Sequence, residues 1–581
     1  MKKTSYLFFA AILLAANYAK TQTIKEGVNH LYADRYKSAE NTFQKMLATN
    51  PNIIDAIYWL GQTYLDDDKN DAARQVYEKA LMTNGNAPLL LVGMGHVELV
   101  ENKTNEARQR FETAITLTRT KKGDDPVILT AIGRANVDAK PGDLTYAIEK
   151  MELAVQRDPK KADAYLELGN AYRKANPGQG GGKAYENYKM ALQVDPSFVY
   201  PYIRIAKLFE TQRNWELVLE NLNKAVEIDP NFSLGYYELF YYYFFRKEYD
   251  KANSFFSKYV GSRSGEDQTE HDYLNSQLCW ARSDWDCAIA KAEGVKSSMG
   301  TKVKPRVLRQ LSYSYLGKGD FASAKRNIDE FFARERDGFA PADYKLKAEI
   351  YAGSGVSCEE LYGIYLAGAA VDTVLQTKID YLSDAAEDFK KRNCKKQEAD
   401  MRIVVYKTRT KPNPAVFVNI GILYSQAGEL KKADSLFSAY NTAFPDSIYG
   451  YDWRGRVNFT MDTTMMIEPF VSTLVSSYKK TLDIAGTDKA RFKSQGVRAA
   501  LTLAGYFNNI KKSSDTALAY INKGLEIDSS NAQLKSIRDI LIKPTNPRQG
   551  NQPKSPAKTG TKPAATIKKP AKKNNSEQVA V

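Results

Sequence analysis

The stretch PGQGGGKA, residues 177–184, has the outline of a phosphate-binding loop. Such a loop needs G-x-x-x-x-G-K-[ST]: backbone N–H groups wrap the phosphates, the lysine reaches them, and the hydroxyl holds Mg²⁺. Here Pro177 stands in place of the first glycine and Ala184 in place of the hydroxyl. No strand pattern precedes it, so the glycines read as a turn insertion. DDDKND, residues 66–71, lacks the glycine and terminal glutamate of a calcium loop and reads as a polar turn. His30, His96 and His271 are too few and too scattered for a metal site. There is no C-x-x-C, which removes the usual zinc and thioredoxin-like patterns. No nucleophile, base and orienting residue recur at a familiar spacing. The expectation is a chain without metal, cofactor, small-molecule substrate or catalytic residues.

Four cysteines remain: Cys279, Cys287, Cys358 and Cys394. An even count in an exported chain permits disulfides. Cys279 and Cys287 flank the turn WARSDWD, so antiparallel helices would bring them together. Cys358 and Cys394 are 36 residues apart. Both pairs are candidates, and the alternative is four buried thiols. Export itself is read from the N-terminus. Lys2 and Lys3 precede an 11-residue apolar run, Tyr6 to Ala16, then small and polar residues. That run is short of the ~20 residues a spanning helix needs, so residues 1–22 read as a signal peptide. Cleavage is placed between Ala19 and Gln22.

The 581 residues carry a net charge of +15, which by itself suggests nucleic acid or an anionic surface. The location of the charge argues against nucleic acid. From Lys543 onward there are nine Lys or Arg against one Glu, a net +8 in the last 39 residues. This Lys-, Pro- and Ala-rich stretch cannot bury a core and is expected to be a disordered tail.

The elements that must position any site show in the spacing. Gly27, Gly61 and Gly95 are 34 apart, as are Ala39, Ala73 and Ala107, and Phe43, Tyr77 and Phe111. Gly421, Ala433, Phe437 and Tyr440 repeat the offsets. Ser312, Ala324, Ile328 and Phe331 follow them loosely. Tyr64, Tyr172, Tyr315 and Tyr424 stand three after the small residue. Pro51, Pro196, Pro230 and Pro445 punctuate the ends. Each unit holds two helical patterns joined by a short polar turn, and stacking is needed to bury their apolar faces. This resembles the tetratricopeptide repeat family over most of residues 23–542. The resemblance implies an all-α, right-handed α-solenoid of stacked helix-turn-helix units. We divide it at 260/261, into an N-terminal array and a more divergent C-terminal array. The pattern is degraded at 262–302, 353–413 and 459–500.

One local surplus stands out. YYELFYYYFF, residues 236–245, holds eight aromatics. Tyr236, Leu239, Phe240 and Tyr243 form the stripe that the repeat buries. Tyr237, Tyr241 and Phe244 form a second stripe. In the family this side of the first helix lines the concave surface, so the second stripe is either a partner-binding groove or additional packing. The preceding units place Lys207, Asn170 and Arg173 on the same side. Leu166 stands where a carboxylate-clamping Lys would be, so the clamp of co-chaperone repeats is incomplete. The resemblance implies a non-enzymatic scaffold that binds protein partners on its concave face. Among exported repeat proteins of gram-negative bacteria, especially Bacteroidota, it further implies a periplasmic envelope role near secretion, gliding or TonB-linked transport machines. The rival expectation is an envelope-binding protein whose basic tail grips peptidoglycan or anionic lipid.

Overall fold

The structure, a computed structural model, describes residues 24–335 and 338–542. The expected signal peptide (1–22) and basic tail (543–581) lie outside the described residues. Among the described residues there is no strand, only an isolated bridge between Thr120 and Gly123. No helix there is long and apolar enough to cross a membrane.

The helices come in antiparallel pairs: Ile54–Asp66 with Asn70–Asn84, Pro88–Val100 with Thr104–Thr118, Ala162–Ala175 with Gly181–Val194. One turn recurs between partners. Asp34, Asp68, Asn102, Lys247 and Ser283 all stand at φ between 55 and 62°. The next N–H then reaches back to close the first helix, Lys69 to the Tyr64 carbonyl and Lys103 to that of Glu98, both at 2.8 Å. Of the stretch 177–184, residues 177–180 form a turn, and Gly181 to Ala184 open the helix Gly181–Val194, where Ala184 is fully buried as the small residue of a second helix.

The 34-residue columns are the helix–helix contact. A Cβ on Gly61 would stand 2.1 Å from Tyr77, one on Gly95 2.5 Å from Phe111, and one on Gly169 2.5 Å from Tyr188. Each missing side chain admits the ring of the partner helix. Ala39, Ala73 and Ala107 are wholly buried beside them. The segments with degraded pattern are helix pairs as well, including Thr269–Ala281 with Trp285–Met299 and Leu375–Lys391 with Lys395–Thr408. Their columns had drifted while the packing kept its geometry.

The chain divides into two units, residues 1–371 and 372–581. The boundary expected at 260/261 therefore falls inside the first unit. The reason is a long-range clasp. The Glu266 carboxylate accepts from the N–H groups of Lys37 and Ser38, both at 2.9 Å, and from the Ser38 hydroxyl. It caps the helix Tyr36–Thr49, whose own N-cap residue, Arg35, contributes no side-chain bond. Arg263 and Ser233 donate to the carbonyls of Asp34 and Ala33 at the end of the preceding helix. Lys25 pairs with Asp195 at 3.0 Å, and Tyr32 stacks on Tyr200 at 4.7 Å. The first helix pair is thus held against residues 195–270 of its own unit.

This closure fills the inner face of the first unit. Arg134 bonds Glu167 at 2.9 Å, reaches the hydroxyls of Tyr58 and Tyr32, and lies 4.5 Å from the Trp59 ring centroid. These residues come from four different first helices. A polar ladder runs through the same region. His96 Nδ1 meets Gln62 Oε1 at 3.0 Å, and Gln62 donates to the Tyr77 hydroxyl at 2.8 Å. In the second unit the same close approach joins Gly421 to Phe437 and Gly455 to Tyr478, and Asp452 is held by Arg456 and Arg498. Cys279 and Cys287 are disulfide-bonded across their turn, with Cα atoms 5.7 Å apart, and no described cysteine is a free thiol.

Two outcomes follow. Gly61→Ala should destabilise by about 1–3 kcal/mol through overpacking against Tyr77, whereas Gly294→Ala, in a helix with nothing near its Cβ, should stabilise by about 0.5–1 kcal/mol. Denaturant midpoints of the two variants should move in opposite directions; a shared direction would refute the contact. Burial, with help from Arg134, pushes the His96 pKa down to about 3. A base with a lowered folded pKa costs stability as pH falls below its unfolded value of about 6.5, by up to about 1.4 kcal/mol per pH unit. His96→Gln should therefore flatten the loss of stability between pH 6.5 and 4. An unchanged acid limb would mean that His96 is not held neutral.

Candidate functional site

With the inner face occupied by its own side chains, the open apolar surface of the first unit lies elsewhere. The helices Tyr200–Thr211, Trp215–Ile228 and Ser233–Phe244 enclose a cleft of about 380 Å³. Its floor is Ala206, Val218 and Leu222. Its wall is Trp215, Tyr241, Tyr242 and Phe245, and its polar rim is Lys207, Glu210, Glu238 and Arg246. Phe245 is 74% exposed and Trp215 is 41% exposed.

A comparison within the chain explains why the cleft is open. Trp215, Trp285 and Phe321 are each the first residue of a second helix. For Trp285 and Phe321 the following pair brings a glycine against the ring. A Cβ on Gly317 or Gly353 would stand 2.6 or 2.1 Å from it. Both glycines are the thirteenth residue of their helix, counted from Pro305 and Pro341. Counted from Ser233, the thirteenth residue is Phe245, which follows directly on the helix end. A ring there cannot make the glycine's close approach, so it projects outward and leaves Trp215 uncovered. Arg246 then bridges the wall, with its guanidinium 3.6 Å from the Tyr242 ring centroid and 4.6 Å from that of Trp215. It also donates to the Tyr242 carbonyl at 2.8 Å. On the opposite rim Lys207 pairs with Glu238 at 2.5 Å and Glu210 at 3.1 Å. Burial works against the Lys207 charge, but these carboxylates outweigh it and raise its pKa, while burial raises that of Glu238.

The six residues expected to form one groove are spread out. Lys207 and Tyr241 line this cleft. Asn170 and Arg173 line a cavity of about 770 Å³ with Asp138, Lys174 and Arg204. Tyr237 lines a third, of about 280 Å³, with Tyr259, Glu270 and Arg306. Asn170 is committed internally. Its carbonyl accepts from Tyr188 at 2.9 Å and Arg204 at 2.8 Å, and its amide donates to Glu167 at 3.0 Å. Leu166 is fully buried. Arg173 is half-buried, its pKa lowered by burial and then by Arg204.

The aromatic stripe is intermediate between the two readings of it. Tyr237, Tyr241 and Phe244 are each half-buried. Tyr237 meets Tyr241 at 4.9 Å and Tyr259 at 5.7 Å; Phe244 meets Phe240 at 5.5 Å and Tyr249 at 5.6 Å. Burial raises the hydroxyl pKa of Tyr237 and Tyr241. Tyr236, Leu239 and Phe240 are buried, while Tyr243 is half-buried against Phe255 at 5.4 Å. Trp215, Phe245 and Arg246 were not anticipated from sequence. The available signal was Phe245 standing at the unit position that holds Gly317 and Gly353.

Among the described residues no group of three or more His, Cys, Asp or Glu is placed to hold a metal ion.

Residues 30–90 match the tetratricopeptide repeat family. Similar solved structures include the C-terminal part of a TPR repeat-containing protein from Cytophaga hutchinsonii (19% identity, 46% of this chain and 98% of that one, TM-score 0.25). A tetratricopeptide repeat protein from Parabacteroides merdae is 16% identical over 45% of this chain and 98% of that one, with a TM-score of 0.32. A chain of the APC/C assembly Cut9–Hcn1 is 11% identical over 89% of this chain and 95% of that one, with a TM-score of 0.36. No curated protein matches.

The half-buried and exposed rings should separate on mutation. Converting Tyr237, Tyr241 and Phe244 together to Ala should destabilise by several kcal/mol, since a fully buried ring truncated costs ~3–5 kcal/mol. Phe245→Ala should stay within ~0.5 kcal/mol of wild type. Equal melting shifts for the two variants would refute this assignment of packing and surface.

Proposed function

We propose that this chain of tetratricopeptide repeats is a non-enzymatic scaffold that binds peptide segments of partner proteins. The cleft walled by Trp215, Tyr242 and Phe245 is its seat in the first unit. The observation that carries the reading is the exposed Phe245 beside a part-exposed Trp215, in a chain where Gly317 and Gly353 seal the equivalent rings of Trp285 and Phe321. Aromatic side chains and arginine dominate the energetics of protein recognition, and an apolar floor with a charged rim is the anatomy of such a site. Around Arg134 the concave-face seat expected from the family is taken by Glu167, Tyr32 and Tyr58. The cleft runs from Lys207 and Tyr241 on that side to Trp215 and Phe245 at the helix ends.

We further propose that the chain works in the envelope of a gram-negative bacterium. Two observations support this: the N-terminal pattern of lysines and a short apolar run, and the Cys279–Cys287 disulfide, a bond that persists in oxidising compartments. The expected result of osmotic-shock fractionation is a periplasmic protein with no thiol open to alkylation before reduction. A cytosolic, fully reduced protein would refute the compartment.

The cleft is tested by panning a random peptide library on the full chain. Selected peptides should lose about 30-fold in affinity on Trp215→Ala or Phe245→Ala, the size of a ~2 kcal/mol hot spot. Peptides that bind both variants as tightly as wild type would move the site elsewhere.

A further inference from the structure

We infer that Arg246 reads one acidic residue of the partner peptide, next to the apolar residue that enters the cleft. This rests on the cleft being a peptide-binding site, as argued above, and names the chemistry of that peptide. Arg246 is half-buried beside the aromatic wall. Its guanidinium lies over the Tyr242 and Trp215 rings, 3.6 and 4.6 Å from their centroids. Stacking engages the face of a planar guanidinium and leaves its N–H edge for hydrogen bonds. One of those groups donates to the Tyr242 carbonyl at 2.8 Å. A guanidinium has more donors than this single bond uses. Arg246 makes no ion pair with any described residue. A carboxylate matches what remains, because the fork can give it two parallel N–H···O bonds.

The other charges of the cleft are matched among themselves. Lys207 pairs with Glu238 at 2.5 Å and with Glu210 at 3.1 Å. One ammonium serves two carboxylates, so that rim keeps a surplus of negative charge, and the Glu210 side chain is 44% exposed. A second acidic residue placed there is repelled. The cleft thus selects an apolar anchor with one carboxylate on the Arg246 side and rejects a run of acidic residues. Attraction at one position and repulsion at another are together what make a site specific. The reading group is also fixed before a peptide arrives. The Tyr242 hydroxyl donates to the Trp215 carbonyl at 3.3 Å, and Arg246 is bonded to the carbonyl of that same tyrosine. Little ordering is left to be done on binding, which favours affinity.

The test crosses changes in the peptide with changes in the protein. Peptides selected from a random library on the full chain should carry Asp or Glu beside an apolar residue. Replacing that acid by its amide should weaken binding to wild type about 10-fold, the size of a charge-assisted hydrogen bond. On Arg246→Gln the same replacement should cost less than about 2-fold, and Arg246→Lys, which keeps the charge without the fork, should fall between. Glu210→Gln should improve peptides with a second acidic residue by about 3-fold. A merely structural role for Arg246 would weaken acid and amide peptides alike and leave their ratio unchanged, which overturns the proposal. So would selected peptides without an acidic residue. In either case peptides that still need Trp215 and Phe245 keep the cleft as a peptide site, and only its charge reading is lost. If no selected peptide needs those rings, both readings fall.

Discussion

The contact between a glycine on one helix and a ring on its partner is what the rest of this molecule depends on. At Gly27, Gly61, Gly95 and Gly169 the facing ring comes within 2.5 Å of where a Cβ would be. Only a residue without a side chain permits that distance. The contact sets how closely the two helices approach, and its recurrence at one offset gives the pairs that carry it nearly the same shape. Identical shapes can stack, and stacking is how a helix pair too small to bury its own apolar face acquires a core. At Gly133 the partner is Met151 rather than a ring, and the close approach persists. The constraint is therefore steric, and aromatic chemistry is one way of meeting it.

The first unit adds a second constraint, the closure of the first pair onto residues 195–270. Glu266 supplies a helix N-terminus with a cap that the helix's own sequence lacks, and Arg263 supplies the preceding helix end with a cation. Both groups are buried, so each side of the clasp would be costly to leave unpaired. Closure also brings Arg134, Glu167, Tyr32 and Tyr58 together from helices far apart in sequence. Arg134 and Glu167 pair between neighbouring helix pairs, and closure adds the Tyr32 hydroxyl to both. The face that repeat scaffolds commonly use for recognition is thereby spent on internal bonding. At Phe245 the packing rule lapses, and a ring in the position that Gly317 and Gly353 hold in their units leaves an open aromatic cleft.

The sequence alone determined the all-helical repeat, because a 34-residue period in glycine, alanine and ring positions reports a contact made within one unit and between neighbours. Local periodicity and turn chemistry sufficed for that. It also determined that PGQGGGKA lacks the phosphate-loop pattern, since Pro177 and Ala184 replace its first glycine and its hydroxyl. What only the tertiary structure decided are contacts between residues more than one period apart. The bond from Glu266 to Lys37 and the meeting of Arg134 with Tyr32 leave no spacing signature, because which helix faces which across the unit depends on small rotations summed over several pairs. Asn170 with Arg173, Lys207, and Tyr237 line three separate cavities although their repeat positions suggested one surface. Tyr241 shares a cleft with Lys207, one period away, while Tyr237, one turn earlier on the helix of Tyr241, lines another, because the packing around each side chain decides which cavity it borders.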